Sequence, residues 1–186
     1  MTKNAYSHIK QAVRSNLKDK MIAWRKENTI VKIDKPTDIG RARNLGYKSK
    51  KGIVVVRVRI KRGGHKRSRP NKGRKTKRLT IRKNLKMNYG WIAEQRAARK
   101  YRNLEVLNSY QISKDGVSYF YEVILIDPSR PEIKKDKNYS WTGSPENKGR
   151  VFRGLTSAAK KSRGLRNRSR NLKIRPSQRA WNRKGK

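Results

Sequence analysis

The sequence predicts an α+β fold: a small mixed body with an antiparallel hairpin plus helices, and long basic irregular extensions. Three observations point there. The acidic residues are confined to part of the chain, so only that part can approach neutrality. Two runs rich in β-branched and aromatic residues flank a tight turn. Apolar residues recur at helical spacing in several other segments.

Taken in chain order, Ala5, Ile9, Val13, Leu17 and Met21 recur every four residues and Trp24 completes the stripe. This predicts an amphipathic helix from Asn4 to about Lys26, its apolar side packed in the core. Pro36-Thr37-Asp38 is a start signal for a short helix through Leu45, with Gly46 placed to end it. From Ile53 to Ile60 a strand is expected, Val56, Val58 and Ile60 alternating with Arg57, Arg59 and Lys61. One face would join the core while the other presents a comb of cations about 6.5–7 Å apart. In Arg62 to Lys77 bases alternate with Gly63, Gly64, Pro70, Asn71 and Gly73, and no regular structure is expected. A helix should run from about Gly90 to Tyr101, with Asn88 near its N-terminus. Leu104 to Ser113 and Val117 to Ile126, joined by Lys114-Asp115-Gly116, form the hairpin, and Pro128 and Pro131 end it. A last short helix follows Thr156 and stops at Gly164.

Charge decides what kind of partner this body has. The 186 residues include 53 Lys or Arg against 12 Asp or Glu, a formal balance of +41. A small soluble domain carries a net charge of about 2–8, so this chain repels itself unless it meets a polyanion. Residues 1–38 carry +5 and residues 39–93 carry +20 with no acid at all; residues 94–146 are close to neutral, and residues 147–186 carry +15 without an acid. Leu, Ile, Val and Phe make up only 36 residues, too few for the extensions to order themselves, and they are expected to fold upon the partner. The expected organisation is a single domain, residues 1–186, with its compact part mainly in 4–60 and 88–136. A basic loop would span 62–87 and a basic C-terminal extension 147–186.

Catalytic chemistry finds little footing. Without Cys there is no thiol nucleophile, disulfide framework or Cys-ligated zinc site, and His8 and His65 are too few for a His-based one. Neither phosphate-cradling glycine motif nor a G-x-S-x-G nucleophile frame occurs. Glu122, Asp127, Glu132 and Asp136 have Lys and Arg nearby and read as solvated charge balance rather than as paired general acids and bases. Asn138-Tyr139-Ser140 and Asn167-Arg168-Ser169 match a glycosylation pattern by chance, since no secretory signal is seen. No run approaches 18 apolar residues, so a membrane partner is not expected. The expectation is a cytoplasmic protein that is not an enzyme, takes no metal, cofactor or small-molecule substrate, and binds nucleic acid. Four Trp and eight Tyr beside Gly-, Pro- and Arg-containing extensions favour folded RNA, which is bound through shape, phosphate and stacking contacts. A DNA-compacting chromatin protein and an RNA chaperone or processing factor stand as alternatives.

Several blocks then carry a family likeness. Gly40-Arg41-Ala42-Arg43-Asn44-Leu45-Gly46-Tyr47-Lys48-Ser49-Lys50-Lys51-Gly52 leads into Arg57-Val58-Arg59-Ile60-Lys61-Arg62-Gly63-Gly64-His65-Lys66-Arg67. Ala93-Glu94-Gln95-Arg96-Ala97, Val106-Leu107-Asn108-Ser109-Tyr110, Glu122-Val123-Ile124-Leu125-Ile126-Asp127-Pro128, Arg153-Gly154-Leu155-Thr156-Ser157-Ala158 and Lys161-Ser162-Arg163-Gly164-Leu165 follow in the same order. Together they resemble the large-subunit ribosomal protein L-fifteen-e family of archaeal and eukaryotic-type ribosomes, and the shortness of the chain is more like the archaeal type. Ser49 stands where the family pattern has Ala, and the first 35 residues and the Pro70 to Leu85 segment match less closely. The resemblance implies a structural, non-catalytic constituent of the large ribosomal subunit, whose partners are large-subunit ribosomal RNA and neighbouring ribosomal proteins.

Phosphate neutralisation by Arg and Lys is the mechanism this implies. The candidate RNA-binding residues are Arg41, Arg43, Tyr47, Lys48, Lys50 and Lys51 at the short helix and following turn. Arg57, Arg59, Lys61, Arg62, Gly63, Gly64, His65, Lys66, Arg67 and Arg69 follow along the strand and loop, with Arg153, Lys160, Lys161, Arg163, Arg166, Arg168 and Arg170 nearer the C-terminus. Gly63 and Gly64 would let backbone approach RNA closely. Tyr47, Trp141 and Trp181 either stack on bases or pack within the protein.

Overall fold

The computed structural model describes residues 4–63, 73–74 and 86–166. Its elements are α1 (Ala5–Ser15), α2 (Leu17–Lys26), β1 (Ile30–Ile33), α3 (Ile39–Asn44), β2 (Ile53–Lys61), α4 (Tyr89–Lys100), β3 (Glu105–Lys114), β4 (Ser118–Ile126), α5 (Pro131–Lys134) and α6 (Ser157–Ser162). Two 3₁₀ turns, Ser140–Gly143 and Pro145–Asn147, lie between α5 and α6. The strands form one antiparallel sheet in the order β1-β2-β4-β3, an α+β architecture.

Local chemistry places the boundaries. Asp115 closes the hairpin, its Oδ1 accepting from the backbone N–H of Val117 at 2.7 Å and of Ser118 at 2.5 Å. The side chains of Asp38, Asn88 and Thr156 cap α3, α4 and α6 by accepting from Arg41, Trp91 and Ala159 respectively. Gly46 stops the α3 segment with φ +95°, a left-handed conformation that a side chain would strain.

Both faces of the sheet are covered. On one, Ala93, Ala97 and Ala98 bring α4 close to Val56, Val58, Ile60, Val106, Val123 and Leu125, with Val151 completing the cluster. Inside this layer Glu94 is fully buried, accepting from Ser109 Oγ at 2.6 Å and Thr156 Oγ1 at 2.5 Å, so one carboxylate ties α4 to β3 and to the start of α6. On the other face Ala42, Tyr47, Val55, Tyr110 and Ile124 cluster beneath α3, and Trp24 meets Phe120 with ring centroids 5.4 Å apart. Glu122 is buried here, accepting from Thr37 N–H at 3.1 Å, from Thr37 Oγ1 at 2.5 Å and from Tyr110 Oη. A smaller cluster of Ile126, Ile133 and Tyr139 holds α5.

The hairpin, the β2 strand, α3, α4 and α6 lie where the sequence predicts them. The long first helix does not: it breaks at Asn16, and of its stripe only Trp24 is buried. The stripe faces the body only in part: Val13, Leu17 and Met21 are half-buried and Met21 Sδ accepts from Ser113 Oγ on β3 at 2.9 Å, but α1 packs beside α3 and α2 rather than on the sheet. Strand β1 was not anticipated, because Ile30–Ile33 is a short run with no alternation to mark it. Glu122 is no solvated charge, since its strand position turns it into the core. The body also reaches beyond residue 136: Val151 and Ala159 are buried and α6 packs on α4, so residues 147–166 are not merely an extension. Most of the Arg62 to Lys77 loop lies outside the described residues.

Burial raises the pKa of Glu94 against the hydrogen bonds from Ser109 and Thr156 and the attraction of Arg150. The folded state therefore binds protons that the unfolded chain has released, and this contribution is full below about pH 4.5 and declines as pH rises through the folded value. Thermal melting of the full chain between about pH 4.5 and pH 7 should fall less steeply with pH for Glu94→Gln than for wild type. Parallel profiles would contradict the assignment.

Candidate nucleic-acid interface

The surface is cationic partly because most of the acids are engaged within the body, while Asp19, Asp34 and Glu146 are exposed. Besides Glu94 and Glu122, Glu27 pairs with Arg57, Asp38 caps α3 and Glu105 accepts from Gly149 N–H at 2.8 Å. Asp115 pairs with Arg25 at 2.8 Å, and Asp127 accepts from Ser129 and pairs with Arg130. Asp136 receives Lys50 at 3.0 Å and Lys48 at 3.7 Å. The Lys50 hydrogen bond, with the Asn138 backbone N–H, holds the Asp136 carboxyl down to about 2.

The cations sort into two kinds. Arg57 is structural: its side chain is only 11% exposed, its guanidinium lies 4.4 Å from the Trp24 ring centroid and it pairs with Glu27. Arg59 donates to the carbonyl of Arg25. The expected comb therefore does not stand clear of the body, because β2 is an interior strand and α2 and its flanks cover the face on which the comb lies; Lys61 alone of the three is exposed. Arg62 donates to Asp115 O at 2.5 Å and rests 5.3 Å from the Tyr119 ring centroid, while Gly63 N–H donates to Tyr89 Oη at 3.3 Å. These contacts fix where the chain leaves the sheet toward the acid-free segment.

At the α3 turn, Arg41 donates to Gln111 O at 2.7 Å, and Lys48 and Lys50 lean on Asp136. Arg43 and Lys51 are exposed without a side-chain partner among the described residues. Tyr47 is 8% exposed within the Val55 and Ile124 cluster, so its ring belongs to the core and is not offered to a base. Trp141 is likewise engaged, with Arg150 4.7 Å from its ring centroid and its indole N–H donating to Asn138 O at 2.9 Å. Arg153 donates to the carbonyls of Glu146 and Lys148, Arg163 to Gly154 O at 3.1 Å and Arg166 to Ser157 Oγ. Lys160 and Lys161 carry no side-chain partner among the described residues. Gly64, His65, Lys66, Arg67, Arg69, Arg168, Arg170 and Trp181 lie outside the described residues.

A basic groove absent from the sequence expectation runs between α1 and α3, lined by Tyr6, Lys10, Arg14, Arg41 and Asn44 among others. Tyr6, Lys10 and Arg14 share the four-residue spacing of the apolar stripe, and that second stripe is the signal in the sequence that marks them. Among the described residues no helix is long and apolar enough to cross a membrane. The geometry offers fixed guanidinium groups and free ammonium groups on a body whose acids are largely engaged, an arrangement suited to phosphate.

Comparison with known families agrees with the resemblance read from the sequence blocks: the family model described as Ribosomal L15, of the L15e type, matches residues 1–181.

The two kinds of cation should separate experimentally. Arg57→Gln should lower stability by about 1–3 kcal/mol through lost stacking on Trp24 and an unpaired Glu27, whereas Lys61→Gln should leave the melting temperature within a degree or two of wild type. Equal effects of the two substitutions in thermal melts would overturn the division.

Proposed function

The chain belongs to the ribosomal L15 family, as a structural protein of the large ribosomal subunit, and we propose that it binds and stabilises folded large-subunit ribosomal RNA. One observation carries the reading: carboxylates of the body are held by caps, buried hydroxyls and internal cations, so the charge left facing outward is positive. Arg43, Lys51, Lys61, Lys160 and Lys161 would neutralise phosphates directly, releasing condensed counterions. Arg41, Arg62, Arg153 and Arg163, each already held by a carbonyl, would present their remaining N–H groups in fixed directions. The residues of 64–85 and 167–186, rich in Lys and Arg and without an acid, would add further phosphate neutralisation. In this reading the protein works in the cytoplasm within the ribosome beside neighbouring ribosomal proteins, and has no catalytic role.

Binding to large-subunit ribosomal RNA and to duplex DNA at equal salt tests this. The account expects tighter binding to the RNA, and a log–log salt slope reduced by roughly 3 when Lys51, Lys61, Lys160 and Lys161 are all changed to Gln. Equal affinity for DNA would favour a chromatin role, and an unchanged slope would remove these lysines from the interface.

A further inference from the structure

We infer that the groove between α1 and α3 seats an unpaired RNA nucleotide, its base stacked on Tyr6 and its flanking phosphates met by Lys10 and Arg14. This rests on the RNA-binding reading above and gives it a specific site. The groove is an open trough of about 660 Å³. Tyr6 is 49% exposed, and its ring lies over Gly40 so closely that a Cβ there would stand 2.8 Å from Tyr6 Cδ1. Glycine at position 40 thus lets the backbone approach the ring at Cδ1, and the half-exposed ring keeps open surface toward the groove. Lys10 and Arg14 follow Tyr6 at four-residue intervals on the same side of α1, about 6 Å apart along the axis. Neither has a side-chain partner among the described residues.

The charges in the groove favour an anion. Its one acid, Asp38, is occupied in accepting from Arg41 N–H at 2.9 Å, and Asn4 caps α1 by accepting from Ser7 N–H at 2.9 Å. Asn44, exposed at the end of α3, remains to meet a base edge. A ring flanked by cations suits a base flanked by phosphates better than an acidic peptide, which has no flat face to place on Tyr6. Nor does the body need these side chains for its own packing, because α1 has no buried residue.

Ultraviolet crosslinking of assembled large subunits carrying the full chain, with mass-spectrometric mapping, tests the site. A nucleotide should attach to the peptide containing Tyr6, persist in Tyr6→Phe and disappear in Tyr6→Leu while the protein stays on the subunit. Gly40→Ala should cut the yield by displacing the ring. Lys10→Gln combined with Arg14→Gln should lower the salt slope of binding to large-subunit ribosomal RNA by about 1.4. RNA crosslinks confined to other peptides, or attachment of Tyr6 to a protein, would overturn the groove proposal while leaving RNA binding in place. Absence of RNA crosslinks anywhere on the chain would sink the RNA-binding reading itself.

Discussion

One face of the sheet depends on two opposite charges set side by side. Arg57 on β2 and Glu122 on β4 are register partners, and each gathers the chain around it. Glu122 accepts from Thr37 and Tyr110, drawing in the approach to α3 and strand β3. Arg57 stacks on Trp24 and pairs with Glu27, drawing in α2. Burial raises the Glu122 pKa, while the Thr37 and Tyr110 hydrogen bonds and the Arg57 charge pull it back. In a chain of +41, an acid in the interior gives the cation beside it a partner that solvent would otherwise have to supply. Glu94 ties the opposite face in the same manner, with hydroxyls in place of the arginine.

This economy of acids links fold to function. A carboxylate committed to a cap, a turn or a buried hydroxyl keeps its charge but has its lone pairs taken by the fold, and against 53 Lys and Arg the 12 acids leave a large positive surplus. The body therefore holds together around its own acids and would meet an anionic partner with surplus bases. Arginines bonded to carbonyls, such as Arg41 and Arg62, are already oriented, which would reduce the conformational freedom lost on meeting a phosphate. Lysines such as Lys51 and Lys61 are exposed point charges, which would suit long-range neutralisation.

Much of the fold was legible where local signals and tertiary packing agree. Asp38, Asn88 and Thr156 announced their helices, and Lys114-Asp115-Gly116 announced the hairpin. The sequence failed where neighbours decide. A strand with Arg57 and Arg59 on one side looks half-exposed, but its place between β1 and β4 and beneath α2 covers that side. Tyr47 beside basic residues resembles a stacking platform, yet the turn after α3 directs it into the core. The stripe in the first helix could be counted, but not the break at Asn16 or the seat of α1 beside α3, outside the core. The groove residues Tyr6, Lys10 and Arg14 went unread because their meaning comes from the proximity of Gly40, distant in sequence.

We propose a built-in structural component of the large subunit whose cations are placed for one folded RNA. Its most direct test is sedimentation of large subunits containing the tagged full chain through a sucrose gradient after a high-salt wash. Retention at near one copy per subunit is expected, because oriented contacts from an ordered body would outlast loose counterion exchange. Loss of the protein from the subunit, with recovery on free RNA or DNA, would contradict it.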